Sequence, residues 1–297
     1  MAALTNQIAA AADVATALDI EMAANFNGEV DKLAEAIGLF GVETMAAGTA
    51  LYQYTVEGSL SASSVAEGDE VPLSKYTLKK TPIGELAVKP YRKLTTAQAI
   101  LKGGFVGAVS KTDAKMVKDI RASVLTEFFT FLANGAGSAK GIGLKAALAK
   151  ADAAVGNALE ANADSTERII HFVNRDDIAD YLAAAEVTTQ TVFGMEYLKG
   201  FLGITDIFVT SKVHAGTLYA TPVENIHLYG VDFASLGQAG LEYTVADGGM
   251  IGVHHTANYG RTSAETYALV GTAMVPEAKN YIVKGTVEKA PAAAAKA

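Results

Sequence analysis

The segment Ser110–Asn134 constrains the chain more than any other stretch of its sequence. Ser110 and Asp113 fit the S-x-x-D pattern that opens a helix. Met116, Val117, Ile120, Val124, Leu125, Phe128, Phe131 and Leu132 then recur at helical spacing and form one apolar stripe. Asn134-Gly135 supplies the stop, because both residues tolerate the left-handed backbone that ends helices. A helix of that length spans roughly 36 Å. It is the spine of a domain, and the rest of the chain must cover its stripe.

Residues 51–95 read differently. Pro72, Pro82 and Pro90 fall here, with glycines at 58, 68 and 84 and a Ser/Ala-rich run at 61–66, which excludes a stable helix. Leu51–Val56, Tyr76–Thr81 and Leu86–Arg92 are β-patterned, so the segment is expected to form a long two-armed hairpin projecting from the body. Its tip carries Glu67, Asp69 and Glu70, and the arm after the tip carries Lys75, Lys79, Lys80, Lys89, Arg92 and Lys93. A basic arm on a chain of net charge −8 suits electrostatic docking on a neighbouring copy. The alternative is a solvated loop whose lysines protect an edge strand. The first 30 or so residues are rich in alanine and acid and lack large apolar anchors. They read as an arm that orders against a partner. Asp31–Phe40 has helical spacing through Leu33, Ile37 and Phe40.

After the spine, Ser138–Ala161 reads as a glycine-rich loop and an alanine-rich helix, and Arg168–Val173 as a buried strand. Asn174 caps a further helix with Asp176 and Asp177 at its positive end. Strands are expected over Asp206–Val213, Thr217–Tyr229, Met250–Ala257, Thr266–Met274 and Tyr281–Val287, and the alanine-rich tail is low in complexity. The order of elements is α+β, without regular βαβ alternation.

Composition narrows the function. Charged residues make up 19%, below the roughly 25% of ordinary soluble domains, which leaves surface for subunit interfaces. The acidic balance lacks the basic footprint of a nucleic-acid binder but suits a wall that encloses DNA without gripping it. The absence of cysteine excludes disulfides and thiolate chemistry. Residues 1–31 contain no Lys or Arg, and no stretch reaches the ~18 apolar residues of a membrane helix, so a soluble protein made in the cytoplasm is expected.

Motifs of catalysis are weak. Gly141-Ile142-Gly143 with Ala146 loosely matches a dinucleotide fingerprint, yet it follows a helix end and not a strand. A flexible interhelix loop is the reading preferred, with a nucleotide-binding cytosolic enzyme, its site at Gly135–Gly143, as the alternative. His254 and His255 are adjacent in a strand-like run and point to opposite faces, so they do not readily share a metal. A structural role is expected for them and for His171, His214 and His227. No G-x-S-x-G or H-E-x-x-H sequence occurs. Phe193–Gly203 alternates bulky and small residues, as ordinary packing does. No catalytic residue, cofactor or metal site is expected.

The ordered set of features resembles the major capsid proteins of tailed bacteriophages, whose fold is shared with encapsulins. The resemblance is carried by the N-terminal arm; by Val65–Lys80 (VAEGDEVPLSKYTLKK) running into Leu86–Ile100; by the spine helix; and by Phe172–Val187, Phe193–Ile204 and Val209–Tyr229 with the closing Gly271–Val287. It implies an arm and first helix over 1–50, an extended loop over 51–95, a peripheral domain with the spine helix over 96–137, an axial domain over 138–248, and return strands with a tail over 249–297. It implies an icosahedral shell of pentamers and hexamers around phage double-stranded DNA, the extended loop lying over the next subunit. A separate scaffolding protein, a portal and a place in the virion follow from it. An encapsulin-like cage for cargo enzymes is the alternative within the same fold.

Overall fold

The computed structural model describes residues 17–26, 43–61, 65, 70–166, 168–184, 190–192, 195–199, 206–233, 236–237, 240–245 and 250–288. Helix α1 (17–26) is followed by strands β1 (Glu43–Met45), β2 (Ala50–Ser59), β3 (Lys75–Glu85) and β4 (Lys89–Thr96). Helix α2 (Ala97–Phe105) runs through a π-helical turn at Val106–Ser110 into α3 (Lys111–Ala133). Then come β5 (Gly137–Ile142), α4 (Gly143–Ala161), β6 (Ile169–Asn174) and α5 (Arg175–Ala184), followed by β7 (Gln190–Val192), β8 (Met195–Lys199), β9 (Asp206–Thr210) and β10 (Thr217–Pro222). The chain closes through β11 (Ile226–Val231), β12 (Thr244–Val245), β13 (Ile251–Asn258), β14 (Ser263–Val270), β15 (Thr272–Pro276) and β16 (Val283–Glu288). The predicted helix at Asp31–Phe40, the acids Glu67 and Asp69, most of Phe193–Gly203 and the C-terminal tail lie outside the described residues.

Among the described residues, the largest sheet is mixed and ordered β5-β16-β10-β6-β9-β8-β7. Its strands alternate, with Ile170 and Phe172 of β6 in the core with α3 and Val173 in the core with α4. From α4, Leu144, Ala147, Leu148, Ala151, Val155 and Leu159 are all buried, an i, i+3/i+4 stripe seated on that second face. The spine α3 buries Val117, Ile120, Val124, Leu125, Phe128 and Leu132 as expected, with Met116 and Phe131 half-buried at the rim of the same core. It buries Phe129 as well, whose ring meets Phe172 of this sheet edge-to-face at 5.5 Å. A small sheet β1-β11-β15 and the two-stranded hairpin β2-β3 are the other sheets among the described residues. The architecture is α+β.

Several local expectations are corrected. Ser110 is not an N-cap: it has helical φ/ψ and no side-chain cap bond, because helical backbone already runs into it from α2. The predicted glycine-rich loop at 138–142 is instead strand β5, parallel to β16. Its glycines serve close approach and not a turn. A Cβ on Gly137 would press on Val283 at 2.7 Å, and one on Gly141 would run into the backbone of Ala147. Gly141-Ile142-Gly143 therefore does sit between a strand and a helix, but the space beside Gly141 is filled by the first turns of α4. Thr217–Tyr229 is two strands in different sheets, parted by a 3₁₀ turn at Val223–Asn225 after Pro222. Thr266–Met274 likewise parts at Gly271, where Val231 packs against the backbone. The last strand, β16, inserts between β5 and β10 of the seven-stranded sheet. Asn174 does cap α5, its Oδ1 accepting from the Asp176 N–H at 2.7 Å.

The N-terminal region also departs from expectation. Residues 17–26 carry apolar anchors after all: Met22, Ala23 and Phe26 are buried in the core that α3 builds, with Phe26 at 0% exposure. The composition, dominated by alanine, hides an i, i+4 pair that packs on its own chain.

Candidate functional site

The β2–β3 hairpin is a ribbon with two unlike faces. Directly paired residues share a face. Tyr52 opposite Pro82, Tyr54 opposite Lys80, Val56 opposite Leu78 and Gly58 opposite Tyr76 make one face. Gln53, Thr55, Glu57 and Ser59, opposite Thr81, Lys79, Thr77 and Lys75, make the other. The first face is an apolar row in which Tyr52, Tyr54, Val56, Tyr76 and Leu78 are 38–66% exposed. Beyond the paired strands, Leu60, Val71 and Leu73 are also 70–93% exposed. Lys80 lies over the Tyr52 ring, its Nζ 3.6 Å from the centroid, and this cation–π contact orders the row. On the polar face Lys79 pairs with Glu57 at 3.4 Å, both exposed. The root is firm. Leu86 is buried with Val231 and Phe233, its backbone bonded to Gly48 and Thr49, and Gln53 Nε2 donates to the Glu277 carbonyl at 2.9 Å. An isolated two-stranded ribbon is marginal in water, and a contiguous exposed apolar patch marks an interaction surface.

The basic arm is shorter than the sequence implied. Lys75, Lys79 and Lys80 lie on the exposed hairpin, and Glu70 is exposed near the tip. Lys89, Arg92 and Lys93 do not: β4 pairs with β14 in the body. There Lys89 forms an ion pair with Glu127. Arg92 grips the buried Glu265 carboxylate through Nε at 3.1 Å and Nη2 at 2.7 Å, which holds Glu265 down at about 2, with Tyr267 and Asn258 also donating to it. Lys93 points inward to Asp113.

That inward lysine belongs to a buried charge cluster that sequence reading missed. Asp113 of α3 accepts from Lys93 Nζ, from Thr266 Oγ1 at 3.0 Å and from His255 Nε2 at 3.2 Å. His255 Nδ1 bonds Asp19 of α1. Two carboxylates face two cations, so the cluster is neutral when His255 is an imidazolium. Burial opposes that charge, but the hydrogen bonds to Asp113 and Asp19 outweigh it and hold His255 up at about 9. The cluster bolts α1, β4, α3, β13 and β14 together. Only a partial signal was available: of two adjacent histidines in a strand one ring faces inward, but nothing local names its partners. His171 is the opposite case. It is fully buried on β6, with the Asp152 carboxylate 3.7 Å from Nε2, and burial pushes it down to about 4 despite the neighbouring Asp206.

The two histidines set opposite limits on stability. His171 has a lowered folded-state pKa, so its contribution is complete above its unfolded value near 6.5 and is lost as pH falls toward 4. His255 has a raised one, so its contribution is complete below 6.5 and is lost as pH rises through 9. Each loss is expected to be about 3 kcal/mol. Melting temperatures measured across pH should fall on both sides. His171→Leu should flatten the limb between pH 6.5 and 4, and His255→Gln the limb between 6.5 and 9.

No described helix is long and apolar enough to cross a membrane. No protein-family model matches the sequence, and no curated protein does. Solved structures do match across nearly the whole chain. The capsid of cyanophage P-SCSP1u is 11% identical over 86% of this chain and 88% of that one, with a TM-score of 0.57. The mature capsid of bacteriophage PhiM1 is 7% identical over 85% of each, with a TM-score of 0.54. The holo-SrpI encapsulin complex of Synechococcus elongatus is 9% identical over 86% of this chain and 89% of that one, with a TM-score of 0.51.

Proposed function

Because the chain has the fold of phage major capsid proteins and encapsulins, we propose that it is a capsid protein whose copies close into an icosahedral shell around phage double-stranded DNA. The observation that carries this reading is the hairpin, whose apolar row is exposed on its own chain. A surface of that kind is satisfied by an identical neighbour. Each contact between copies is modest, but closed symmetry multiplies the contacts, so a subunit that is marginally sticky alone is held firmly in pentamers and hexamers. The firm root supports the role, since a finger anchored by Leu86 transmits the neighbour's position to the body. The net charge of −8 suits a wall that contains DNA without binding it tightly. Assembly in the host cytoplasm, with a scaffolding protein and a portal, belongs to the same reading, as do an extended loop formed by the β2–β3 hairpin and a peripheral domain around α3.

Deleting residues 61–71 tests it. The deletion is expected to leave a folded subunit, with melting temperature within a few degrees of the parent, that forms no closed particles by electron microscopy. Normal particles from the shortened chain would remove the hairpin from the mechanism. The likeness to an encapsulin supports a second reading, a cage for protein cargo. Nuclease-protected DNA inside purified particles favours the first, and a co-purifying protein lumen the second.

A further inference from the structure

The exposed side of α3 is as patterned as its buried stripe. Lys111, Lys115 and Lys118 stand at i, i+4 and i+7, and Ala122, Thr126 and Thr130 continue the same line; all are exposed. Val117, Ile120, Val124 and Phe128 face the opposite way, into the core. Lys212, which follows β9, is exposed too and reaches this line from outside the helix, its Nζ 3.4 Å from Thr126 Oγ1. Arg121 borders the cleft between α1 and α3 with Lys118, and Glu21 of α1 lies on the other wall. Of the acids on α1 and α3, Glu21 and Asp119 share this side, and Asp119 pairs with Lys115. The rest are engaged elsewhere: Asp19 and Asp113 in the buried cluster, Glu127 with Lys89. Five cations therefore gather where α1 and α3 supply two carboxylates.

That balance runs against the chain as a whole, which has 24 Lys and Arg against 32 Asp and Glu. It also sets α3 apart from α4, whose sequence holds two lysines and two acids, Lys145, Lys150, Asp152 and Glu160. Like charges at i, i+4, such as Lys111 and Lys115, destabilise a helix. None of the three lysines is buried, so packing does not offset the repulsion, and an anion outside the chain does. The chemistry of the face says which anion. Contacts between proteins enrich aromatic side chains and deplete lysine. Here the cations are mainly lysines and the side chains between them are Ala122, Thr126 and Thr130, which suits a partner of uniform negative charge. From Lys111 to the level of Thr126 the line runs about 22 Å, the rise of about six base pairs. We propose that this face of α3 turns into the lumen of the shell, where Lys111, Lys115, Lys118 and Lys212 contact phosphates of the enclosed duplex without reading its sequence. The inference rests on the shell reading and adds the surface that meets the contents. So few contacts keep one subunit in the ~10⁻⁴–10⁻⁶ M range of non-specific binding. Repeated over a closed shell, they hold the outermost DNA against the wall while each contact still exchanges.

The test titrates the full-length chain into a fluorescent duplex of about 25 base pairs and arbitrary sequence, between about 50 and 200 mM salt. Binding by the parent is expected to fall with a log–log slope of about −3. A chain carrying Lys111→Gln, Lys115→Gln and Lys118→Gln together should bind at least tenfold more weakly at the lowest salt, with a flatter slope. Lys111→Gln alone should reduce the slope by about 1, and it keeps the test sharp if the triple variant folds poorly. A control chain with Lys75→Gln, Lys79→Gln and Lys80→Gln loses the same charge from the hairpin and should change affinity less than twofold. Intact particles offered the duplex from outside should bind at least tenfold less of it than dissociated subunits do. Equal weakening by the two triple variants would reduce the effect to net charge and overturn the face. Equal binding of a polyglutamate of matched charge would assign the face to an acidic protein and overturn the DNA contact. Equal binding by intact particles would put the face on the outside. Particles that close normally from subunits with no affinity for the duplex would overturn this contact and leave the shell reading standing. Subunits that bind through these lysines but never close would overturn the shell reading and, with it, the lumen.

Discussion

Replacing Asp113 with alanine is expected to cost about 3–5 kcal/mol, the usual effect of removing one member of a buried charge group. The Asp113 carboxylate is 9% exposed and serves Lys93, Thr266 and His255 at once. Without it, Lys93 keeps only a neutral hydroxyl, from Thr112 at 2.7 Å, and a backbone carbonyl, from Val109 at 3.2 Å. His255 keeps only Asp19, so its pKa should drop from about 9. Urea denaturation should show a lower midpoint at unchanged slope, and histidine NMR titration the lowered pKa. Because His255 also holds α1, the variant should expose residues 17–26 to protease before the rest unfolds. Asp113→Asn keeps the shape and should lose less. Equal stability of the parent and the alanine variant would mean that the cluster does not hold these elements together.

Phe172→Ala should be comparably severe, at about 3–5 kcal/mol. The ring is fully buried where the seven-stranded sheet meets the spine. Its centroid lies 5.2 Å from Phe128 and 5.5 Å from Phe129 in edge-to-face geometry, and 5.3 Å from Phe208 in a stack. Two neighbours belong to α3 and one to β9, so neither element can close the void without losing its own register. Phe172→Leu fills part of the space and should cost less than half as much. Thermal melts of both variants separate the cavity from a general intolerance of change at this site.

How much of this was legible in the sequence depends on the range of each interaction. The spine could be read because its stripe repeats at 3.6 residues and needs no knowledge of its neighbours. Phe129 escaped, since nothing local says that Phe172 reaches beyond the stripe to cover it. The run around Ile170–Val173 showed itself as a strand, whereas Thr217–Tyr229 concealed a change of sheet, because pairing partners are not written into a strand's own pattern. Glycines 137 and 141 looked like loop residues; they are absent side chains at points where Val283 and Ala147 press close. The charge cluster was out of reach, joining residues 19, 93, 113, 255 and 266, with Asp19 and His255 separated by 236 positions. The lysines are the conspicuous signal in the hairpin, yet three of the six basic residues lie on β4 in the body, and of these only Lys93 points inward. The alternation of Tyr52, Tyr54 and Val56 is the more telling signal.

The central claim is that copies of this chain satisfy one another's exposed apolar surface. Sedimentation velocity of the purified full-length chain across a concentration series tests it most directly. The account predicts subunits or small capsomers below a threshold and one sharply defined, very large species above it, with few intermediates. A single slow-sedimenting monomer at every concentration, even with a scaffolding protein co-expressed, would contradict it.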